Sequence, residues 1–397
     1  MNQEPSPSLN FYHYSSYWHS HWLLDPKIYF LNHGSFGATP ITILEYQRQL
    51  RERLEREPVR FFTQELEDLL EEARKNLSAF LSIDTDNLAF IPNATTGVNT
   101  ILRSLTFKAG DEILITNHEY NACRNAVEFV ANRVGAKVTV ARIPFPLKSQ
   151  QQIIEAVLAK VSKRTKLVLI DHVTSPTALI FPIEELVKEL SNRRIDTLVD
   201  GAHAPGFLDL NIASINPTYY TGNCHKWLCT PKGAAFLYVR EDKQALIRPL
   251  TISHGANSPR TDLSRFRLEF DWTGTDDPTA YLCIPKAIEY MGKLLPGGWS
   301  ELREKNKTLA RKARRIICKT LNIPLPCPSE MVGAMASIPI SNTISHELIK
   351  QQLMEKFNIE VPIIPWYSSN LVRISAQLYN TIQQYEYLAE ALKKLLA

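Results

Sequence analysis

The run Tyr219-Tyr220-Thr221-Gly222-Asn223-Cys224-His225-Lys226 ends in a histidine and a lysine on a small-residue turn. Upstream, Thr197-Leu198-Val199-Asp200-Gly201-Ala202-His203 places an acid at the end of an apolar, strand-like stretch. A lysine amine can form a Schiff base with an aldehyde and later act as a base. A carboxylate can hold a pyridine nitrogen protonated, so that the ring accepts the electrons of a carbanion. An acid and a lysine at the ends of nearby strands are what pyridoxal phosphate chemistry requires. Alone, Asp200 is ordinary turn chemistry and Lys226 an ordinary solvated charge. The reading rests on the two together.

Such a cofactor also needs its phosphate held. Asn93-Ala94-Thr95-Thr96-Gly97 follows an apolar stretch ending at Ile91 and opens a helix. Free N–H groups at a helix N-terminus bind phosphate, and the hydroxyls of Thr95 and Thr96 add donors. The same pattern also serves as a plain helix cap. Asn93-Ala94-Thr95 matches a glycosylation sequon, which has no role without secretion.

The elements that must position these residues alternate along the chain. Leu88 to Ile91, Glu112 to Thr116, Lys137 to Ala141, Lys166 to Ile170, Thr197 to Asp200 and Ala234 to Val239 read as strands. Several are apolar on successive residues, as strands buried on both faces are. Ala122 to Val134, Gln152 to Val161 and Ile183 to Asn192 carry helical periodicity between them. This alternation predicts an α/β fold with a mostly parallel central sheet. In such sheets the active site lies at the carboxyl ends of the strands.

Thr42 to Leu81 reads as two charged amphipathic helices broken near Pro58. The C-terminal part changes character, with a basic helix from Ser300 to Leu321 and prolines at Pro324, Pro326 and Pro328. Strands near Ala334 to Pro339 and Leu371 to Ser375, and helices near Ser345 to Phe357 and from Thr381, complete a smaller α+β domain. The expected division is an N-terminal arm over 1–40, a large domain over 41–290 and a small domain over 291–397. The arm is rich in aromatic residues and histidine (Phe11, Tyr12, His13, Tyr14, Tyr17, Trp18, His19, His21, Trp22). The spacing fits no structural metal site, and packing on this subunit or a neighbour is the simpler account.

Composition narrows the functional class. The chain has 397 residues, 44% hydrophobic and 22% charged, with a formal net charge of +4. That is an ordinary globular composition with no basic bias toward nucleic acid. No apolar run approaches the ~20 residues needed to cross a bilayer. Met1 to Leu9 lacks an apolar signal core, and six scattered cysteines form no Cys-x-x-Cys pair. Reduced thiols in a cytoplasmic protein are expected.

The order of these motifs resembles the class V aminotransferase family of pyridoxal phosphate enzymes, and within it the isopenicillin N epimerase group. The resemblance covers roughly 28–395. It implies the aspartate aminotransferase-like fold, a homodimer with shared active sites and pyridoxal 5'-phosphate on Lys226. It also implies roles by position. Asp200 holds the pyridine nitrogen, and His203 lies near the phenolate oxygen and assists proton transfer. Asn223 and His225 bind the phosphate, although serine is more usual at the former. In Asn117-His118-Glu119-Tyr120-Asn121 the residue stacked on the ring is Tyr120, with His118 the alternative. Thr275, in Trp272-Thr273-Gly274-Thr275, reaches the phosphate of the neighbouring subunit. Arg373, in Leu371-Val372-Arg373-Ile374-Ser375, clamps the substrate carboxylate bidentately. Asn32, His33 and Gly34, in Leu31-Asn32-His33-Gly34-Ser35-Phe36-Gly37, approach the substrate, where glycine permits close backbone contact.

One departure from the family pattern bears on the reaction. Cysteine desulfurases of this class carry a nucleophilic cysteine shortly before the carboxylate-binding arginine, and none stands between Glu355 and Val372. Epimerisation, carbon–sulfur elimination and transamination all begin by removing the α-proton, with Lys226 as the base. Epimerisation adds an acid on the second face, from Tyr120, His33 or a neighbouring subunit. Two readings of other classes remain at this point. One is a non-catalytic binding protein of the same fold, against which Lys226 and Asp200 both stand. The other is a metal hydrolase built on Asp171, His172, Asp200, His203 and His225, which has no His-x-His or His-Glu-x-x-His spacing to support it.

Overall fold

The computed structural model describes residues 16–396. Their strands are β1 (Tyr29–Phe30), β2 (Leu88–Ile91), β3 (Glu112–Thr116), β4 (Lys137–Ala141), β5 (Thr165–Asp171), β6 (Asp196–Asp200), β7 (Tyr219–Asn223), β8 (Ala235–Val239), β9 (Met335–Ile340), β10 (Ile359–Glu360), β11 (Ile363–Trp366) and β12 (Ser369–Ser375). The central sheet has the order β2-β8-β7-β6-β5-β3-β4. Contacts from β7 through to β4 are parallel, while β8 runs antiparallel to both neighbours. The carboxyl ends of β2, β3, β5, β6 and β7 therefore share one edge of the sheet.

The apolar runs explain why this sheet is central. In β5, Leu167 and Leu169 join one buried cluster while Val168 and Ile170 join the other. Successive side chains leave a strand on opposite faces, so a run without polar interruption needs helices on both sides. Those helices include Ala94–Ser104, Asn121–Val134 and Ile183–Asn192. The edge strand β4 is only partly covered, which accords with its alternating Lys137-Val138-Thr139 start.

Four strands, β1, β7, β10 and β11, were not anticipated from the sequence, and two of them show why. The turn expected at Tyr219 to Asn223 is strand β7, buried at every position in the middle of the sheet. Gly222 disguises it. A Cβ there would lie 2.8 Å from both Phe236 and Pro205, so the packing requires glycine. The second is β11, an unanticipated edge strand of the antiparallel β11-β12-β9 sheet. Its Pro365 is tolerated because an edge strand need not donate on both sides.

The N-terminal segment is tied to the C-terminal one. β1 pairs in parallel with β10, and Ser16 Oγ donates to the Leu378 carbonyl at 2.7 Å. Trp22 stands edge-on to Tyr379, with ring centroids 5.1 Å apart. Of the aromatic run, Phe11, Tyr12, His13 and Tyr14 lie outside the described residues, and His21 Nδ1 meets the Tyr290 hydroxyl at 2.6 Å. The expected break near Pro58 is a short helix, Pro58–Arg60, and a π-helical turn, Phe61–Glu65, between helices Ile41–Arg56 and Leu66–Leu81.

Arg74 on the last of these helices is fully buried and donates to the Leu88 carbonyl and to Asp271. Asp271 immediately precedes the Trp272-Thr273-Gly274-Thr275 turn, so this pair fixes the turn to the start of β2. Arg74→Met removes the guanidinium from the Leu88 carbonyl and leaves Asp271 with Arg267 alone. Breaking a buried pair from one side costs about 3–5 kcal/mol. The variant is expected to melt several degrees below wild type in a thermal scan, and an unchanged midpoint contradicts this assignment.

Candidate active site

The backbone at Lys226 is clamped from both sides. Trp227, 1% exposed, packs against Phe207 and His33 with ring centroids at 5.0 and 4.7 Å. His33 Nε2 donates to the Lys226 carbonyl at 3.0 Å, and its Nδ1 accepts from the Tyr379 hydroxyl at 2.8 Å. Burial lowers the His33 pKa to about 3, so the ring is neutral and can play both parts. Gly37 closes the other side with φ +71°, and a Cβ there would sit 2.2 Å from the His225 carbonyl. With its backbone held, Lys226 places Nζ 3.3 Å from His203 Nε2.

Lys226 opens into a cavity of about 320 Å³ with Thr95, Asp171, Asp200, His203, Asn223 and His225 on its walls. The start of helix Ala94–Ser104 forms one wall. Asn93 caps it by accepting from Thr96 N at 2.8 Å, and Asn223 Oδ1 accepts from Ala94 N at 2.8 Å. Thr95 keeps its N–H and hydroxyl without a partner among the described residues. Thr96 does not join it. Its hydroxyl is spent on Asn93 at 3.1 Å, and its side chain lines the neighbouring cavity beside Trp272 and Gly274. His225 Nδ1 donates to the Ala234 carbonyl at 3.0 Å, which leaves Nε2 as an acceptor. Burial, and then the charge of Lys226, lower its pKa to about 4.

Three carboxyl groups are buried on the floor of the site. Asp200 accepts from Ala202 N at 2.9 Å and from the Cys123 thiol at 3.3 Å. Glu119 has no partner for either oxygen, and Asp171 none for Oδ2, among the described residues. Burial raises the pKa of all three, taking Glu119 and Asp171 well above the carboxylate range. At Asp200 the Ala202 N–H, the Cys123 thiol and Lys226 pull the other way. Asp200 is thus the acid best equipped to carry the negative charge. Lys226 is affected in the opposite sense. Burial, and then the Arg373 charge, lower its pKa to about 8. His203 is held neutral by burial and Lys226, and its Nδ1 has no partner.

Lys226, Ser35, Tyr120 and Ser175 also line a wider cavity of about 600 Å³, which contains Arg373 and Gly34. Arg373 is 4% exposed. It donates to the Ser175 carbonyl at 2.7 Å, the Ser175 hydroxyl at 3.1 Å and the Ser35 hydroxyl at 2.8 Å. Its Nε has no partner, and the guanidinium meets no carboxylate among the described residues. Burial lowers its pKa to about 10. A buried cation without an acid is costly unless an anion arrives.

Several expected residues stand elsewhere. Asn32 lines neither cavity. It accepts from the Ser35 hydroxyl at 2.5 Å and so turns a lone pair of that oxygen to Arg373. His33 lies behind the lysine with both nitrogens engaged, which removes it as a second acid. Gly34 borders the wider cavity, where a Cβ would strike Met335 Sδ at 2.3 Å. His118 is buried against Thr177 and the Ile143 carbonyl, so that of the two candidates Tyr120 is the one that lines the cavities. Thr275 is exposed and outside both cavities of its own chain. The hydrolase set is not assembled. Among the described residues, potential metal-ligand atoms of at least three side chains come within 4.8 Å of one another at Glu119, Cys123 and Asp200. His172 is turned to the Tyr220 hydroxyl at 2.8 Å.

Sequence reasoning gave no role to the serines that hold Arg373 or to Glu119, and named Asp171 only for the hydrolase reading. Ser175 and Asp171 follow or end β5 at the carboxyl edge, and that position was the signal available.

The class V aminotransferase family model matches residues 28–388. Isopenicillin N epimerase of Amycolatopsis lactamdurans is 34% identical over 386 residues, covering 94% of this chain and 96% of that one. The probable chloroplastic L-cysteine desulfhydrase of Arabidopsis thaliana is 30% identical over 400 residues, covering 94% and 83%. The solved complex of the cystine C–S lyase C-DES with its product cysteine persulfide shares the fold, with a TM-score of 0.77. It is 22% identical, over 91% of this chain and 96% of that one.

The lowered pKa of Lys226 is directly measurable. In protein freed of bound aldehyde, the rate at which Lys226 is trapped by an added aldehyde and borohydride should rise with pH through an inflection near 8. Arg373→Met removes a neighbouring positive charge and is expected to move that inflection upward. An inflection at the ordinary lysine value of 10.5 in both proteins contradicts the reading.

Proposed function

We propose, for a chain that belongs to the class V aminotransferase family of pyridoxal-phosphate-dependent enzymes, removal of the α-proton of an amino acid, with epimerisation at that carbon as the outcome. The observation that carries this reading is the pairing of Lys226 and an acid-free, buried Arg373 on one cavity. An amine with a pKa near 8 is a base at neutral pH. A guanidinium that meets no carboxylate among the described residues is a site for the carboxylate of a substrate.

The residues present suit the cofactor. The unpaired N–H and hydroxyl of Thr95 and the amide N–H of Asn223 would donate to its phosphate, and His225 would join them from Nε2 on taking up a proton beside the phosphate charge. Asp200 would pair with the ring nitrogen, His203 would stand by the ring oxygen, and Tyr120 would cover one face. Lys226 would hold the cofactor covalently. When bound, pyridoxal phosphate supplies the electron sink that makes the α-proton acidic. Arg373 fixes the carboxylate, and hence which bond at the α-carbon faces Lys226. The Lys226 amine takes the proton. Ser35 and Ser175 are tied to Arg373 and the Tyr367 hydroxyl meets Asn117, while Tyr120 lines both cavities with Lys226, so Tyr120 would return a proton from the other face.

Carbon–sulfur elimination is the second reading. It uses the same first step, and relatives named as L-cysteine desulfhydrases, from Arabidopsis thaliana and Oryza sativa, favour it.

Solvent-deuterium incorporation at the α-carbon tests the first step. Lys226→Ala should abolish it. Arg373→Ala should raise the apparent KM by about one to three orders of magnitude, with Arg373→Lys a poor substitute because it lacks the planar fork. Equal exchange by wild type and Arg373→Ala at low substrate contradicts the carboxylate role. Product carrying deuterium in both configurations supports epimerisation, whereas pyruvate and sulfide from cysteine support elimination.

A homodimer with shared sites belongs to the same proposal, because the exposed Thr275 stands away from its own chain's cavity. Mixed, refolded chains of inactive Lys226→Ala and inactive Thr275→Ala should regain activity. A fully active monomer in sedimentation contradicts sharing.

A further inference from the structure

The wider cavity contains a second guanidinium. Arg124 lies on helix Asn121–Val134, one turn after Tyr120, and lines the cavity with Arg373. It donates to the Thr116 carbonyl at 3.2 Å, and no carboxylate lies within ion-pair distance of it among the described residues. Glu119 feels its field, but burial, and then the charge of Asp200, push that carboxyl toward neutrality. Tyr120 links the two cations. Its hydroxyl lies near enough to Arg373 to be felt there, and Tyr120 itself precedes the helix that carries Arg124. The lining also includes Ile364, Pro365 and Trp366, which would suit a methylene chain.

A simple amino acid brings one carboxylate, and Arg373 accounts for it. Arg124 would then remain a second cation in the same cavity with no anion. Resting on the α-proton reading above, we infer that the substrate is an amino acid whose side chain ends in a carboxylate, and that Arg124 binds that carboxylate. Arg124 is then a specificity-determining residue rather than part of the proton transfer. A guanidinium–carboxylate pair in a partly enclosed site is strong enough to select a side chain, whereas a solvent-exposed pair is not.

The test uses the holoenzyme and a set of amino acids matched in length. Aspartate, glutamate and 2-aminoadipate are compared with 2-aminobutyrate, norvaline and norleucine, respectively. Two readouts are taken, α-deuterium exchange and the change in the cofactor's visible absorption on titration. At least one acidic amino acid should surpass its apolar counterpart by about ten- to hundredfold in exchange efficiency and in apparent Kd. Arg124→Gln should bring that ratio near unity, and Arg124→Glu should turn the preference toward ornithine. Arg124→Lys should keep part of the acidic preference, which separates loss of the charge from damage to the helix. Equal Kd values for acidic and apolar amino acids in wild type overturn the inference, as does a preference that survives Arg124→Gln. The two proposals fail separately. Discrimination by absorption without any exchange supports the Arg124 site and refutes proton abstraction. Exchange without discrimination does the reverse.

Discussion

An amine that must be a base at neutral pH has to be kept from its usual charge, and this is the constraint on which the site depends. Burial does most of the work at Lys226, and the uncompensated Arg373 adds to it. The same burial acts in the opposite sense on Glu119, Asp171 and Asp200, which it pushes toward neutrality. One low-dielectric pocket thus lowers a base and raises its acids together. The hydrogen bonds that distinguish Asp200 from the other two decide which acid keeps its charge.

Such burial is available only because the sheet is covered on both faces. Strand ends then deliver polar residues into a dry interior without exposing the strands themselves. The backbone around the lysine has no freedom left to spread the cost. His33, Trp227 and Gly37 all bear on it, and each is specified by contact: a hydrogen bond, a ring packing and a position too close for any Cβ.

The central elements of the fold were legible in the sequence because strands buried on both faces write themselves as unbroken apolar runs. Strand β7 was not, because Gly222 and Asn223 carry low strand propensity and are there for packing and for the helix start. Asp200 and Lys226 were legible because residue type and strand-end position coincide. His33 and Asn32 were misplaced for a different reason. Sequence order shows that a segment approaches a site and says nothing of which side its side chains take. The acid-free state of Arg373 was likewise invisible, since it depends on Ser35 and Ser175, each remote from it in sequence.

The clamp on the lysine also has a direction in time. His33 meets Tyr379 across 346 positions of sequence, and Arg373 meets Ser35 across 338. Contacts this distant are among the slowest for a chain to close. During synthesis the first half of each contact leaves the ribosome early and waits for almost the whole chain before its partner emerges. The sheet that carries Asp200 and Lys226 is complete well before then. The Tyr379 half of the amine's support and the Arg373 half of the carboxylate grip therefore arrive together with the C-terminal segment, whereas the His33–Lys226 and Gly37 contacts need only the first part of the chain.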